Sequence, residues 1–286
     1  MLGDIINGIA FGGLLFILAS GFSLALGVIR VINIAHGAFY ILAVYLGITI
    51  AERAGGFAAA ILVDSIAVMA LAAVLHRVLL KRFHLAPLPQ VLSMYGVTLI
   101  IVQAVRLIWG GYPEVMPTPP GLDGTLHILG TIVPVYRAFL IVVAAVLAIA
   151  LWLLIDRTRI GALVRASVDD EEIARSIGIN IERLSMMLFG FAGLLVGLGG
   201  ALGAPLLGGY QGAEFEILTL TLVVVVLGGV GSIAGAFVGS LFVGVLWHLG
   251  TAAFAQYSYF VLFAPMILVL SLRPTGLLGK KLTIGE

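Results

Sequence analysis

Residues 28–40 read VIRVINIAHGAFY, a polar interruption in a chain that is apolar on both sides of it. Arg30, Asn33 and His36 recur there at every third position, and Gly37 follows directly. The chain has 286 residues, of which 62% are hydrophobic and 10% are charged. A soluble domain has about a quarter of its residues charged, so this composition indicates an integral membrane protein. The stretch 28–40 therefore predicts a helix break in a membrane-embedded chain.

The apolar segments around this break are long enough to span a bilayer, which takes about 20 residues. Clear candidates cover residues 5–28, 37–51, 57–79, 91–109, 137–155, 186–206 and 257–272. A further uncharged stretch, 217–247, would be ~45 Å long as one helix, which exceeds a ~30 Å hydrocarbon core. It carries LGGVGSIAG at its centre, so we predict two segments joined at a break. The expected fold is an all-α, polytopic membrane protein with about eight transmembrane helices, some of them broken or re-entrant, in one domain over residues 1–286.

The two breaks resemble each other in sequence. INIAHGAF at 32–39 and GSIAGAF at 231–237 share I-A and G-A-F, and an apolar run follows each. We therefore predict an internal inverted repeat, and interrupted segments at corresponding places in two halves indicate a transport path. The residues predicted along this path are Asn33, His36, Gly229, Gly231 and Ser232. The alternative is that Asn33 and His36 only cap their loop.

Lysine and arginine positions predict the orientation. With a cytoplasmic C-terminus, twelve of the fifteen basic residues lie on the cytoplasmic side of the membrane, and three lie on the outer side: Arg53, Arg106 and Arg137. The opposite orientation would reverse this ratio. We therefore expect a multi-pass protein of the inner (plasma) membrane, with its N-terminus in the periplasm. The loop at about 110–136, rich in proline and glycine, then faces outward, either as a docking surface or as a passive connector.

The inner loop, residues 156–185, is the most polar segment. Ser167 and Asp170 fit a capping box and Gly178 suits a helix C-terminus, so a short helix is expected at about 168–177. Its apolar residues, Val168, Ile173, Ala174 and Ile177, would lie largely on one side. That strip would rest on lipid or on a cytoplasmic partner, and the acidic polar face argues against lipid.

Asp64 lies inside an apolar segment, where a carboxylate is costly and needs a partner. Arg106 and Gln103 lie at similar depth on the next segment, so we predict an intramembrane contact from Asp64 to one of them. The alternative is a proton relay, which would suit a secondary transporter.

Motifs for chemistry are absent from the sequence. It has no G-x-x-x-x-G-K-[ST], so the chain is not expected to bind ATP itself, and no H-E-x-x-H or G-x-S-x-G. There is no cysteine, and the five histidines are scattered. We expect no enzyme activity, no cofactor or metal on this chain, and no nucleic-acid partner.

Four blocks resemble the permease subunits of branched-chain amino acid ABC transporters of the LivH type. They occur in the same order, and the resemblance runs over nearly the whole chain. The blocks are GFSLALGVIRVINIAHGAFYILAVYLG, IGALVRASVDDEEIARSIGINIERL, LVVVVLGGVGSIAGAFVGSLFVG and LRPTGLLGK.

The resemblance implies a permease that imports leucine, isoleucine and valine, or a related solute such as urea, a short amide or an aromatic acid. It also implies a second homologous permease, two cytosolic subunits that hydrolyse ATP, and a periplasmic solute-binding protein. The inner loop would carry the helix that couples to the ATPases, with Asp170, Glu171, Ile173, Ala174, Ile177 and Gly178. Its EEIARSIG differs from the classical EAA pattern of this element. A stand-alone proton-coupled transporter and a channel are the competing functions.

Overall fold

The computed structural model describes residues 2–29, 31–53, 55–83, 86–128, 130–253, 256 and 258–279. Within them the chain forms eleven α-helices, a 3₁₀ turn at Leu80–Phe83 and one β-hairpin. The helices are α1 Leu2–Ile29, α2 His36–Arg53, α3 Gly56–Val78, α4 Pro87–Trp109, α5 Val135–Arg157, α6 Arg159–Asp169, α7 Glu171–Ser176, α8 Ile181–Gly203, α9 Ala213–Gly228, α10 Ile233–Ala253 and α11 Ser258–Leu272. The hairpin strands are β1 Thr125–Ile128 and β2 Thr131–Pro134. Arg30, Lys280 and Lys281 lie outside the described residues.

The all-α, polytopic prediction is confirmed. Six of the described helices, α1, α3, α4, α5, α8 and α10, are long and apolar enough to cross a membrane. The count of about eight is not reached on this criterion, because α9 and α11 have only 16 and 15 residues and α2 has 18 with charges at its end.

Helix α1 forms the centre of the bundle and packs against α8, α10 and α5. It is apolar on all sides, as expected for a helix surrounded by protein. Glycines on α1 allow close approach: a Cβ on Gly12 would lie 2.7 Å from the Ser240 carbonyl oxygen, and one on Gly21 would lie 2.8 Å from that of Ala192. Helices α3, α4 and α5 are mostly exposed and present apolar faces suited to lipid.

The predicted break after α1 is present, and the chain turns back through it. The His36 Nε2 atom lies 3.0 Å from the carbonyl oxygen of Leu18, eleven residues before the end of α1 at Ile29. At 1.5 Å per residue, α2 therefore begins about 16 Å back along α1. The predicted break within 217–247 is also present, since α9 ends at Gly228 and α10 begins at Ile233. The inverted repeat itself stays a prediction.

A further break, residues 204–212, was not predicted. A Cβ on Gly203, the last residue of α8, would lie 3.4 Å from Leu14, which is twelve residues, or about 18 Å, inside the start of α1. Non-helical backbone inside a membrane protein needs partners for its amides and carbonyls. The loop after α4 supplies them: Glu114 and Gly209 exchange two backbone hydrogen bonds of 2.9 and 2.8 Å, and Met116 donates to Ala204 at 3.2 Å.

The inner loop differs from its prediction, because α6 and α7 replace the single helix at 168–177. The N-cap of α7 is Asp170, whose Oδ1 atom accepts a hydrogen bond of 2.9 Å from the Ile173 amide. Ser167 cannot cap it, because Ser167 lies within α6 and its hydroxyl donates to the carbonyl of Leu163. Gly178 ends α7 with φ +91°, and the Ile179 amide reaches the Ala174 carbonyl, so the predicted helix stop is confirmed.

Candidate functional site

Asn33 and His36, the polar residues of the first break that the structure describes, lie inside the protein. His36 is fully buried, its ring stands edge-on to Phe22 at 5.1 Å, and its side chain bonds to α1. Because a backbone carbonyl only accepts, Nε2 carries the hydrogen in that bond. Asn33 is 2% exposed, and its Oδ1, like the His36 Nδ1 and the Ser23 hydroxyl, has no hydrogen-bond partner among the described residues. A role for Asn33 and His36 in a substrate path stays a prediction.

The second break is a contact between glycines. Gly229 and Gly231 have φ values of +108° and +77°, which favour glycine. Gly231 touches Gly27 near the end of α1, where a Cβ would overlap the Gly231 backbone. Ser232 directly precedes α10, and its hydroxyl accepts a hydrogen bond of 3.0 Å from the Gly235 amide.

The C-terminal segment closes this break. The Leu277 amide donates to the Leu227 carbonyl at 2.8 Å, and the Leu278 amide donates to the Gly228 carbonyl at 2.9 Å. These carbonyls belong to the last turn of α9, which has no helical partner for them. The LRPTGLLGK block therefore has a structural role as the cap of α9.

The two sets of predicted path residues lie at different levels of the bundle. His36 bonds at the level of Leu18, whereas Gly231 packs at the level of Gly27, nine residues or about 14 Å further along α1. The structure therefore does not bring His36 together with Gly231.

The predicted contact of Asp64 with Arg106 or Gln103 is wrong. Asp64 is fully buried, and neither of its carboxylate oxygens has a hydrogen-bond partner within the described part of the chain. The reason is the packing of α3, which lies against α8 and α2. A Cβ on Gly47 of α2 would lie 2.5 Å from the Asp64 Oδ2 atom. The carboxylate thus points at α2 and not at α4.

A small cavity lies beside the third break, and sequence reasoning missed it. Its volume is about 50 Å³. Residues of α1, α2, the 204–212 segment, α9 and α10 line it: Phe11, Tyr40, Leu207, Gly208, Tyr210, Ala213, Glu216, Ile217, Leu220 and Trp247. The signal that could have indicated it is APLLGGYQGAEFE at 204–216, where glycines and two carboxylates interrupt apolar sequence.

Glu216 is the one charged residue among those that line this cavity. The Tyr210 hydroxyl donates to its Oε2 atom at 2.5 Å, and the Tyr40 hydroxyl donates to the Gly208 carbonyl at 3.3 Å. No ion pair joins Glu216 to a basic side chain of the described residues. Glu214, two residues earlier, does not line the cavity. Its carboxylate accepts a hydrogen bond of 3.0 Å from the Gly212 amide.

The predicted apolar strip of the inner loop is divided in the structure. Ile173 and Ile177 are 61% and 68% exposed, whereas Ala174 is 1% exposed and packs inside the protein. Glu171 and Arg175 form an ion pair of 2.7 Å on the same helix. Two exposed isoleucines beside acidic side chains form a surface that a partner could cover, and Ala174 is not part of it.

Comparisons with known proteins agree with this architecture. Residues 4–270 match the family described as the permease component of the branched-chain amino acid transport system. The high-affinity branched-chain amino acid transport system permease protein BraD of Pseudomonas aeruginosa is 31% identical, over 97% of this chain and 95% of its own length. The permease protein LivH of the corresponding system of Escherichia coli is 27% identical, over 96% and 94%.

A more distant match is the ribose import permease protein RbsC of Haemophilus influenzae, which is 28% identical over 65% of this chain and 61% of its own length. No solved structure matches the chain. Because the family match covers most of the sequence and the BraD match nearly all of it, the chain belongs to the family of branched-chain amino acid transport system permease components.

Proposed function

We propose that the chain is the membrane-spanning subunit of an ABC importer for leucine, isoleucine and valine. The observation that carries this proposal is the match to BraD over 97% of this chain, together with the family match. The family is one of transport components and not of enzymes. The match to the ribose permease covers only 65% of the chain, which favours amino acids over sugars. Urea, short amides and aromatic acids are the alternative solutes.

The energy comes from partner subunits in this proposal, because the sequence has no phosphate-binding loop. A second homologous permease would pair with this chain in the lipid bilayer. Two cytosolic ATPases would bind the pair, and a periplasmic solute-binding protein would deliver the amino acid. Ile173 on α7 and Ile177 at its C-cap would form the main contact with an ATPase, because they are exposed and apolar and lie on the loop expected to be cytoplasmic.

The broken helices would form the path. Irregular backbone interrupts the helices at 31–35, 204–212 and 229–232, and interrupted segments of this kind mark the substrate path in transporters. The Gly27–Gly231 contact and the C-terminal cap would close the cytoplasmic end, with the N-terminus at the periplasm.

Reconstitution tests the proposal. The chain is placed in liposomes with the proposed ATPases, second permease and binding protein, and uptake of radioactive leucine is measured. We expect uptake that needs both ATP and the binding protein. The chain alone should show none. Uptake by the chain alone that collapses with the proton gradient would favour a secondary transporter, and downhill flux without ATP would favour a channel.

A further inference from the structure

The cavity beside the third break lies between helices of the bundle. It is bordered by Phe11, nine residues or about 14 Å from the start of α1, and so lies nearer the N-terminal end of that 28-residue helix. Under the orientation proposed above, this is the outer half of the membrane. The 204–212 segment forms one wall, and the hydrogen bonds from Glu114 and Met116 hold that segment in place.

The walls combine one carboxylate with apolar side chains. Phe11, Leu207, Ile217, Leu220 and Trp247 are apolar, and Glu216 carries the charge. A carboxylate in such surroundings attracts a cation far more strongly than it would in water. An ionisable residue inside a membrane is also a mark of a substrate path.

We propose that the Glu216 carboxylate binds the α-ammonium group of the transported amino acid, while the aliphatic wall contacts its branched side chain. The proposal rests on the importer function given above and adds the place and the chemistry of solute recognition. It selects a small aliphatic solute with an ammonium group. Neutral amides, urea and sugars lack the charge, and aromatic acids carry the wrong one.

The cavity is narrow in this structure. Its 50 Å³ would hold about one or two water molecules, so it must widen to admit leucine. The wall best able to move is the 204–212 segment, since it has no helix of its own and depends on backbone bonds to the loop after α4. Displacement of that loop would release the wall.

A purely structural role for Glu216 makes different predictions. A carboxylate in the first turn of α9 interacts favourably with the helix dipole, and Glu216 also accepts a hydrogen bond from Tyr210. If these were its only functions, the cavity would not distinguish solutes by their ammonium group.

The natural absence of cysteine permits a direct test. Leu207→Cys, at a half-buried wall position, is the reporter, and the neutral reagent methyl methanethiosulfonate labels it in the permease–ATPase complex during ATP turnover. The binding protein is omitted, so that its own selectivity plays no part. Leucine and 3-methylbutylamine, at millimolar concentration, should slow labelling. 4-Methylpentanoate, which is leucine without the amino group, should not.

Glu216→Gln in the reporter background should weaken protection by leucine about tenfold, as expected for loss of a charged hydrogen-bond partner. Glu216→Asp should retain part of it. Glu52→Gln, the same change at an exposed position of α2, is the matched control and should leave protection unchanged.

Two results would overturn the inference. The first is equal protection by leucine and 4-methylpentanoate, which can be measured without a Glu216 variant. The second is full protection by leucine in Glu216→Gln. Failure of the proposed function is seen separately. It would appear as absence of ATP-driven leucine uptake by the wild-type transporter reconstituted with the binding protein.

Discussion

At the scale of single residues, Gly37 shows how tightly the broken helices meet. It lies in the first turn of α2, and a Cβ there would overlap the backbone carbonyl of Glu214 in the first turn of α9. Backbone cannot yield as a flexible side chain can. Gly96, in α4, has nothing within 4 Å of the corresponding position. The same substitution at these two glycines therefore tests the contact.

Gly37→Ala should destabilise the protein by about 1–3 kcal/mol, the usual cost of overpacking. Gly96→Ala should be neutral or stabilising by up to about 1 kcal/mol, because alanine favours a helix. Thermal unfolding of both variants in detergent, followed by tryptophan fluorescence, gives the comparison. An unfolding temperature for Gly37→Ala equal to that of Gly96→Ala would show that α2 and α9 do not meet as described.

A substitution of Asp64 distinguishes the importer hypothesis from that of a proton-coupled transporter. An ionised carboxylate without a hydrogen-bond partner is costly in the protein interior, so we expect the neutral carboxyl here. Asn is neutral and has the same shape. Asp64→Asn should therefore keep ATP-driven leucine uptake within about twofold of the wild type, since an isosteric neutral side chain changes little in a packed site. Uptake is measured in proteoliposomes with and without a protonophore. A fully assembled Asp64→Asn transporter that has lost uptake would indicate a proton role.

At the scale of elements, α7 and its C-cap residue present two kinds of apolar residue, exposed and buried, that the sequence does not distinguish. Ile173 and Ile177 face away from the bundle, and Ala174 faces into it. A negative charge at Ile177 would be buried unpaired in a partner interface, whereas one at Ala174 would be buried in the protein itself.

Ile177→Asp should reduce retention of the ATPase by at least about tenfold, because an unpaired charge at an interface costs several kcal/mol. Its unfolding temperature should stay that of the wild type. Ala174→Asp should instead lower the unfolding temperature. Val115→Asp, at a 62% exposed position on the loop after α4, is the control and should retain the ATPase. The measurement is co-purification of the ATPase with each variant. Normal retention by Ile177→Asp would remove α7 from the interface.

The elements that sequence predicts well are those that lipid surrounds. Helices α3, α4 and α5 lie close to their predicted bounds, since a bilayer requires continuous apolar sequence of fixed length. The 204–212 break was missed because glycines between two apolar segments also suit an ordinary surface loop. The Asp64 contact was wrong for another reason: neighbouring segments in sequence need not be neighbours in the bundle, and local sequence does not specify which helices pack together.

At the scale of the whole molecule, the structure separates two faces. On one, the start of α1 lies beside the hairpin, where a Cβ on Gly3 would be 2.9 Å from the Thr131 side chain. On the other lie α6 and α7, along with the Lys81–Glu182 ion pair of 2.7 Å that joins the segment after α3 to the start of α8. This separation fits the distribution of basic residues.

The proposed orientation places the second face in the cytoplasm, because the loops of a membrane protein that are rich in arginine and lysine lie on the cytoplasmic side. Ser176, on α7, and Thr118, on the loop after α4, are both exposed, so each can carry a single cysteine in this cysteine-free chain. In intact cells, a membrane-impermeant maleimide should label Thr118→Cys and leave Ser176→Cys unlabelled until the cells are lysed. The reverse pattern would place α7 outside the cell, where no ATPase can reach it, and the importer function would then fail together with the orientation.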